Sequence, residues 1–417
     1  MSKFVVQFLI LLILLLRNRK VKGGWLTPSG VLIMIYAVCS LMGIIVVWSG
    51  EYSSPKESYY WIPMLVFDLF ILSYLLPFRR FNEMQINTLR LPSRQFLDVF
   101  SVIIIVLSFY AIFFYASTVR FIFSLGDLGA ARDVRYVEGE FVETGIFNTI
   151  ASVSSANYVF AIILYFIYKI IGNNKTRCRL LFISSFSNAI HVLSFVGRDG
   201  IVFWIFTFVF CWAFFNPFLP SYQRKEIRRL FAIGGAVLLI PFFLISISRF
   251  AGNTSIATGG TSGSIISYMG QSFVQGPIYF GLDSKPSNPG GAFPLFHRFF
   301  VPNPNYGPMI IGEWVSWKFS SFIVSLYISL GLVGLVIFTA MLLVLFLLTF
   351  KRVKNVMNLG QFTLYILYFQ IISQGVFYFC HYTRGGNLFI VSTLILSVVF
   401  AMASKQGEKS LILTKVE

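Results

Sequence analysis

The sequence predicts an all-α, polytopic membrane protein with about ten or eleven transmembrane helices and a long loop on its outer side. Three observations predict it. Hydrophobic residues fill 57% of the 417 positions, charged residues only 12%, and the mean hydropathy is +0.77. A water-soluble domain carries about 25% charged residues, so this chain lacks the polar surface that water requires. Apolar segments of span length recur along the whole chain, and the connections between them alternate between strongly basic and nearly neutral.

The spans are expected at about 30–49, 59–77, 96–118, 147–171, 180–196, 201–219, 230–248, 320–350, 361–382 and 386–404. An earlier apolar run, 4–16, is short for roughly 30 Å of hydrocarbon, so it either crosses with help from its flanks or lies at the interface. Arg17-Asn18-Arg19-Lys20 follows it with no small-residue cleavage site, so no cleavable signal peptide is expected. The whole of 1–417 reads as a single integral membrane domain.

Orientation comes from the basic residues. Of 33, 22 fall in the connections 17–22, 79–94, 169–179, 224–229 and 351–354 and in the tail 405–415. The positive-inside rule makes this set cytoplasmic. The opposite connections hold the other 11, balanced by acids such as Glu51, Asp127, Glu138 and Asp283. The net charge of +17 is therefore an orientation signal, and no nucleic-acid partner is expected. Cys39, Cys178, Cys211 and Cys380 are scattered without metal-ligand spacing, so neither a disulfide nor a metal site is expected.

Two outer connections exceed simple turns, at about 119–146 and about 249–318. Loops beyond roughly 12–15 residues are usually functional or disordered. The longer one carries Tyr268, Phe273, Phe293, Phe299, Trp314 and Trp317 among its glycines and prolines. Disordered linkers are poor in aromatics, so this loop is expected to fold against the outer face with a short amphipathic helix.

The residues that suggest chemistry are outer arginines beside glycine. Arg198 and Asp199 lie in Gly-Arg-Asp-Gly, Arg384 in Thr-Arg-Gly-Gly, and Arg249 at a span exit. Arg132 and Arg135 lie in the shorter outer loop, and His297-Arg298 in the longer one. Guanidinium groups grip phosphate through paired hydrogen bonds and keep their charge at any relevant pH. Several of them at the outer headgroup level suit a lipid-linked phosphate or diphosphate; the ordinary alternative is snorkelling toward headgroups. Two polar stripes lead toward these arginines. Ser184, Asn188 and His191 share a helical face that Arg198 joins if the helix continues, and Gln370, Gln374, Tyr378 and His381 do likewise before Arg384. Asp68 lies in mid-span, where a carboxyl group is either functional or a buried hydrogen-bond acceptor.

With many spans, arginines in a medium outer loop, Ser-Phe-Val-Gly-Arg-Asp-Gly at a span exit and Arg-Gly-Gly before the last span, the chain resembles the bacterial oligosaccharide repeat-unit polymerases, the Wzy-type O-antigen and capsule polymerases. The family's arginine, ten residues, then glycine is matched by Arg249 to Gly260. The resemblance implies a GT-C-like membrane glycosyltransferase with inverting chemistry. Its substrate would be a polyprenyl-diphosphate-linked oligosaccharide, polymerised into O-antigen or capsular polysaccharide at the outer face of the bacterial cytoplasmic (inner) membrane. Arg198, Arg249 and Arg384 would bear the leaving diphosphate, and His297 would act as general base, with an acid of the 119–146 loop as alternative. Arg132, Arg135, Asp199, Arg298, His381 and His191 would bind substrate. No cofactor is implied, and the lack of an outer Asp-x-Asp pair points to a metal-independent enzyme. A chain-length regulator and a flippase are the protein partners that fit, besides membrane lipid. An O-antigen ligase shares the architecture, and a transporter of lipid-linked sugars is the alternative of another class.

Overall fold

A computed structural model describes residues 2–49, 61–126, 128, 145–172, 174–250, 260–281, 291–298, 310–311, 314–315, 321–351, 353–405 and 410–415. It is mostly helical. Among the described residues seven helices are long and apolar enough to cross a membrane, and eight if one bent pair is a single span. That is fewer than the expected ten or eleven, and the reasons are local. By their internal contacts the described residues form two compact units. The first holds Met1–Ile86, Thr254–Asn355 and Gln361–Ser397; the second holds Asn87–Asn253, Val356–Gly360 and Val398–Glu417.

In the first unit, α1 (Ser2–Lys22) and α2 (Pro28–Trp48) run antiparallel along their full lengths. Phe4 packs with Val46 and with Met64 of α3 (Trp61–Arg80) at one end, while Lys22 meets Ser29 at the other. At about 1.5 Å per residue, α1 is roughly 31 Å long, although its last turn is Arg19, Lys20 and Lys22. Thr27 caps α2, its hydroxyl accepting from the Gly30 amide at 3.0 Å, and Pro28 takes the first helical position, where no amide is needed. Lys22 is buried at the α1 terminus; its ammonium pairs with Glu83 and shares its three hydrogens among Glu83, Ser29 Oγ at 2.8 Å and the Phe78 and Phe81 carbonyls at 2.9 and 2.7 Å. Burial pulls this ammonium below the ordinary lysine range, against the upward pull of Glu83. Asp68 of α3 accepts a hydrogen bond from Gln7 of α1, which is the buried-acceptor alternative for that residue.

The long connection expected on the outer side contains a 22-residue helix, Gly260–Gly281, which packs in the first unit against α2 and α3. Phe273 meets Tyr36 and Phe67 edge-on, with ring centroids 6.1 and 6.2 Å apart. The helix is far longer than the short amphipathic one expected there.

In the second unit, α4 (Arg94–Ser124) begins at a Ser93 cap. The expected 147–171 span is two helices, α5 (Ile146–Ala156) and α6 (Tyr158–Ile171), bent by 42°. At the bend Ser155 Oγ donates to the Ser152 carbonyl at 2.7 Å and Asn157 Nδ2 to that of Val153 at 3.4 Å. Side chains that take up helix carbonyls in this way favour bending. The expected 180–196 span is likewise broken, into α7 (Lys175–Ser184) and α8 (Ser187–Leu193). The Ser184–Asn188–His191–Arg198 stripe is therefore not one helix face. Beyond α8 the chain reverses through Val196, whose φ is +55°, into α9 (Asp199–Phe215), then α10 (Ser221–Phe250).

Naming the Gly260–Gly281 helix α11, the first unit continues with a four-residue helix, α12 (Pro294–His297), and α13 (Ser321–Phe350), kinked at Gly331. Its α14 (Leu359–Gln374) ends early, so Tyr378 and His381 leave the stripe begun by Gln370 and Gln374. The chain at 375–377 instead binds the start of α13, with Phe322 N donating to the Gly375 carbonyl at 2.7 Å and Ser321 N to that of Phe377 at 3.0 Å. The last helix is α15 (Arg384–Ala403).

A small sheet ties the basic connections of the second unit. Strand β1 (Thr88–Ser93) lies between two strands, parallel to Val356–Asn358 and antiparallel to Ser410–Thr414. Leu89, Met357 and Leu413 point to its buried side, Arg90 and Ile412 to its exposed side. A two-residue pair, Ile310–Ile311 with Trp314–Val315, precedes α13.

Candidate functional site

In the second unit Arg198 stands immediately before α9, half-buried. Its Nη1 donates to Ser246 Oγ at 2.8 Å, and its guanidinium lies over the Phe242 ring at 5.7 Å, both on α10. Asp199 opens α9, where a negative charge suits the helix dipole. The flanking glycines have a packing cause. A Cβ on Gly197 would stand 2.6 Å from Val192 Cγ1, and one on Gly200 2.7 Å from Val192 Cβ, so the α8-to-α9 reversal closes only without side chains there. Gly-Arg-Asp-Gly is thus first a turn motif that sets Arg198 at a helix start. His191, on α8, pairs through Nδ1 with Ser155 Oγ at 2.9 Å and stacks on Tyr115 with centroids 4.4 Å apart. The Ser155 hydroxyl already donates to a carbonyl, so the Nδ1 of His191 carries the proton of this pair.

In the first unit a buried amide gathers several nominated residues at one corner. Asn387, one turn into α15 and fully buried, donates through Nδ2 to the His381 carbonyl at 2.6 Å and to the Ala292 carbonyl at 3.1 Å. Its Oδ1 accepts from the Leu295 amide at 3.2 Å. The 291–298 segment is therefore held against the first turn of α15. His297, half-buried, and Arg298, exposed, follow Leu295, while Arg384, exposed, opens α15. The turn is tight because Gly386 lies under His381: a Cβ there would be 2.6 Å from His381 Cα. Thr383 caps the helix, its hydroxyl accepting from the Gly386 amide at 3.0 Å. His381 itself is buried, with Nδ1 3.0 Å from Cys380 Sγ and its ring stacked on Phe389. Among the described residues neither Arg298 nor Arg384 makes an ion pair.

Set against protein-family models, curated proteins and solved structures, the chain matches none. Its helices decide what it is. It is a multi-pass helical membrane protein. The nominated residues of this membrane protein fall into two groups: His191, Arg198 and Asp199 in the second unit, and His297, Arg298, His381 and Arg384 in the first. Arg249 ends α10, and its side chain lies outside the described residues, as do Arg132 and Arg135.

Ser246 and Asn387 were not nominated from sequence. Asn387 left a faint signal, as a lone amide directly after Arg-Gly-Gly in an otherwise apolar run. Ser246 left none, since serines are frequent in membrane helices and only the packing gives it Arg198.

Proposed function

We propose that this membrane protein polymerises polyprenyl-diphosphate-linked oligosaccharide repeat units by inverting glycosyl transfer at the outer face of a bacterial cytoplasmic membrane. The observation that carries the reading is the corner around Asn387, where the His297-Arg298 segment is fastened to the helix start bearing Arg384. The chemistry needs such a pairing. The bond from the donor's anomeric carbon to the lipid diphosphate breaks, and that carbon joins the acceptor's sugar oxygen. The hydroxyl proton passes to a base and the electron pair to the departing diphosphate. Guanidinium groups stabilise that developing charge, and an imidazole within reach of the hydroxyl serves as the base. Arg384 and Arg298 take the first role and His297 the second. A part for Arg198 and Arg249, which belong to the second unit, rests on the charge topology of the sequence alone.

The test is purified protein in lipid nanodiscs given purified lipid-linked repeat units. A ladder of glycans that remain on the polyprenyl diphosphate supports the reading. Unchanged units, or transfer only to an added lipid A core acceptor, overturn it.

A further inference from the structure

The geometry points to Asn387 as the positioning residue of this site, a latch that holds His297 and Arg298 in register with Arg384. The inference rests on the polymerase reading for its kinetic consequence, though not for the latch itself. Asn387 is an amide with two donor hydrogens and an acceptor oxygen, and all three are engaged: one with the turn just before its own helix, two with a segment more than ninety residues earlier. The partners are the carbonyls of His381 and Ala292 and the amide of Leu295. The residue is fully buried, so each of these bonds is made away from water, where an abandoned partner is costly. No other natural side chain of this size supplies two donors and one acceptor from one planar group. Aspartate keeps the acceptor and loses both donors; leucine keeps roughly the volume and loses everything.

The segment it holds needs such help. Helix α12 has only four residues, too short to be stable by itself. Other contacts also secure it. Phe293 packs its ring on Phe338 and Phe379 with centroids 5.7 and 5.6 Å away, and the His297 amide donates to the Phe293 carbonyl at 3.0 Å. The aromatic tie fixes the start of the segment, and the Asn387 bonds reach Ala292 and Leu295. His297 and Arg298 follow within three residues of the last bond. Asn387 also touches the backbone of His381, so one side chain sets both the turn that precedes Arg384 and the segment that carries the base. Displacement of a reacting group by about 1 Å costs roughly a hundredfold in rate, so the latch would register in turnover more than in binding.

The experiment combines amide hydrogen exchange with kinetics on the full chain in nanodiscs, comparing wild type, Asn387→Asp and Asn387→Leu. Exchange of the peptide spanning Ala292–Arg298 is expected to rise in the order wild type, Asp, Leu, while peptides of α2 and α9 keep their wild-type rates. Elongation is expected to lose about a hundredfold in kcat for Leu and less for Asp, with KM for the lipid-linked unit changed little. Unchanged exchange in both variants overturns the latch, and faster exchange with wild-type kcat overturns its positioning role. If wild type itself forms no polymer, the polymerase reading falls while the exchange result still decides the latch. Should the Leu variant fail to accumulate, the Leu295 amide of wild type provides the decision: exchange as fast as in an open surface turn overturns the latch, and protection supports it.

Discussion

Lys22 and Glu83, 61 residues apart, form an ion pair with both side chains removed from solvent. Around it Ser29 gives Glu83 Oε1 a backbone and a hydroxyl contact, at 3.1 and 2.7 Å. The network joins the end of α1, the beginning of α2 and the segment after α3. Taking two charges out of water is expensive, and a buried pair survives only with its remaining valences satisfied, as they are here. Removing one partner strands the other. Lys22→Met is expected to destabilise the protein by about 3–5 kcal/mol, and Lys22→Met combined with Glu83→Gln by clearly less. Thermal and denaturant unfolding in detergent of the two single variants and the double variant measures the coupling; additive losses would mean that the pair contributes nothing as a pair.

The same contact orients the N-terminus. Phe4 lies beside Val46 at one end of α2, and Lys22 beside Ser29 at the other, so α1 is expected to cross with α2. With 17–22 expected inside by charge, residue 2 is then expected on the outer side. A Ser2→Cys variant is expected to react with a membrane-impermeant maleimide in intact cells stripped of their outer barrier, and a Lys354→Cys variant only after the membrane is opened. The reverse pattern would invert the topology, and labelling of both from one side would place α1 at the interface.

Hydropathy read the long helices well because a span needs only enough apolar residues in a row. It failed where hydrogen bonding decides. Ser185-Phe186 ends a helix inside an apolar run since the Ser185 hydroxyl turns back to the Phe182 carbonyl at 2.6 Å and also accepts from Trp204 Nε1 at 2.9 Å. Gly375 follows α14 at a point where only glycine fits, since a Cβ there would stand 2.2 Å from the Ile371 carbonyl oxygen and 2.6 Å from the Phe322 ring. Helix α11 escaped notice because Ser272 and Gln275 make its sequence look like a loop, although both are buried by packing. The strands at 356–358 and 410–414 pair with residues hundreds of positions away, a fact no local pattern carries. At the candidate site the arginines and His297 were legible as charges out of place. Asn387 was not, since its role lies in carbonyls and an amide that belong to other segments.

The arginines separate into two kinds, and that difference is testable. Arg198 is engaged within its own unit, bonded to Ser246 and lying over Phe242, whereas Arg384 is exposed at the start of α15. If both serve the leaving diphosphate, each alanine variant should lose about 3 kcal/mol of transition-state stabilisation, roughly a hundredfold in kcat. Lysine should restore only part of it, because the charge remains and the planar fork does not. Stability should distinguish the two. Arg198→Ala strands Ser246 and empties the space over Phe242, so its unfolding temperature should fall; Arg384→Ala touches no such contact and should unfold as wild type does. Chain elongation and thermal unfolding measured on the same four preparations, Ala and Lys at each position, read both effects. Full activity in both alanine variants would end the clamp. Lysine activity equal to wild type at both positions would reduce the arginines to general anchors at the headgroup level. Loss of activity in Arg384→Ala at unchanged stability, with Arg198→Ala losing activity only in proportion to its lost stability, would leave Arg198 a structural residue and place the chemistry at the corner held by Asn387.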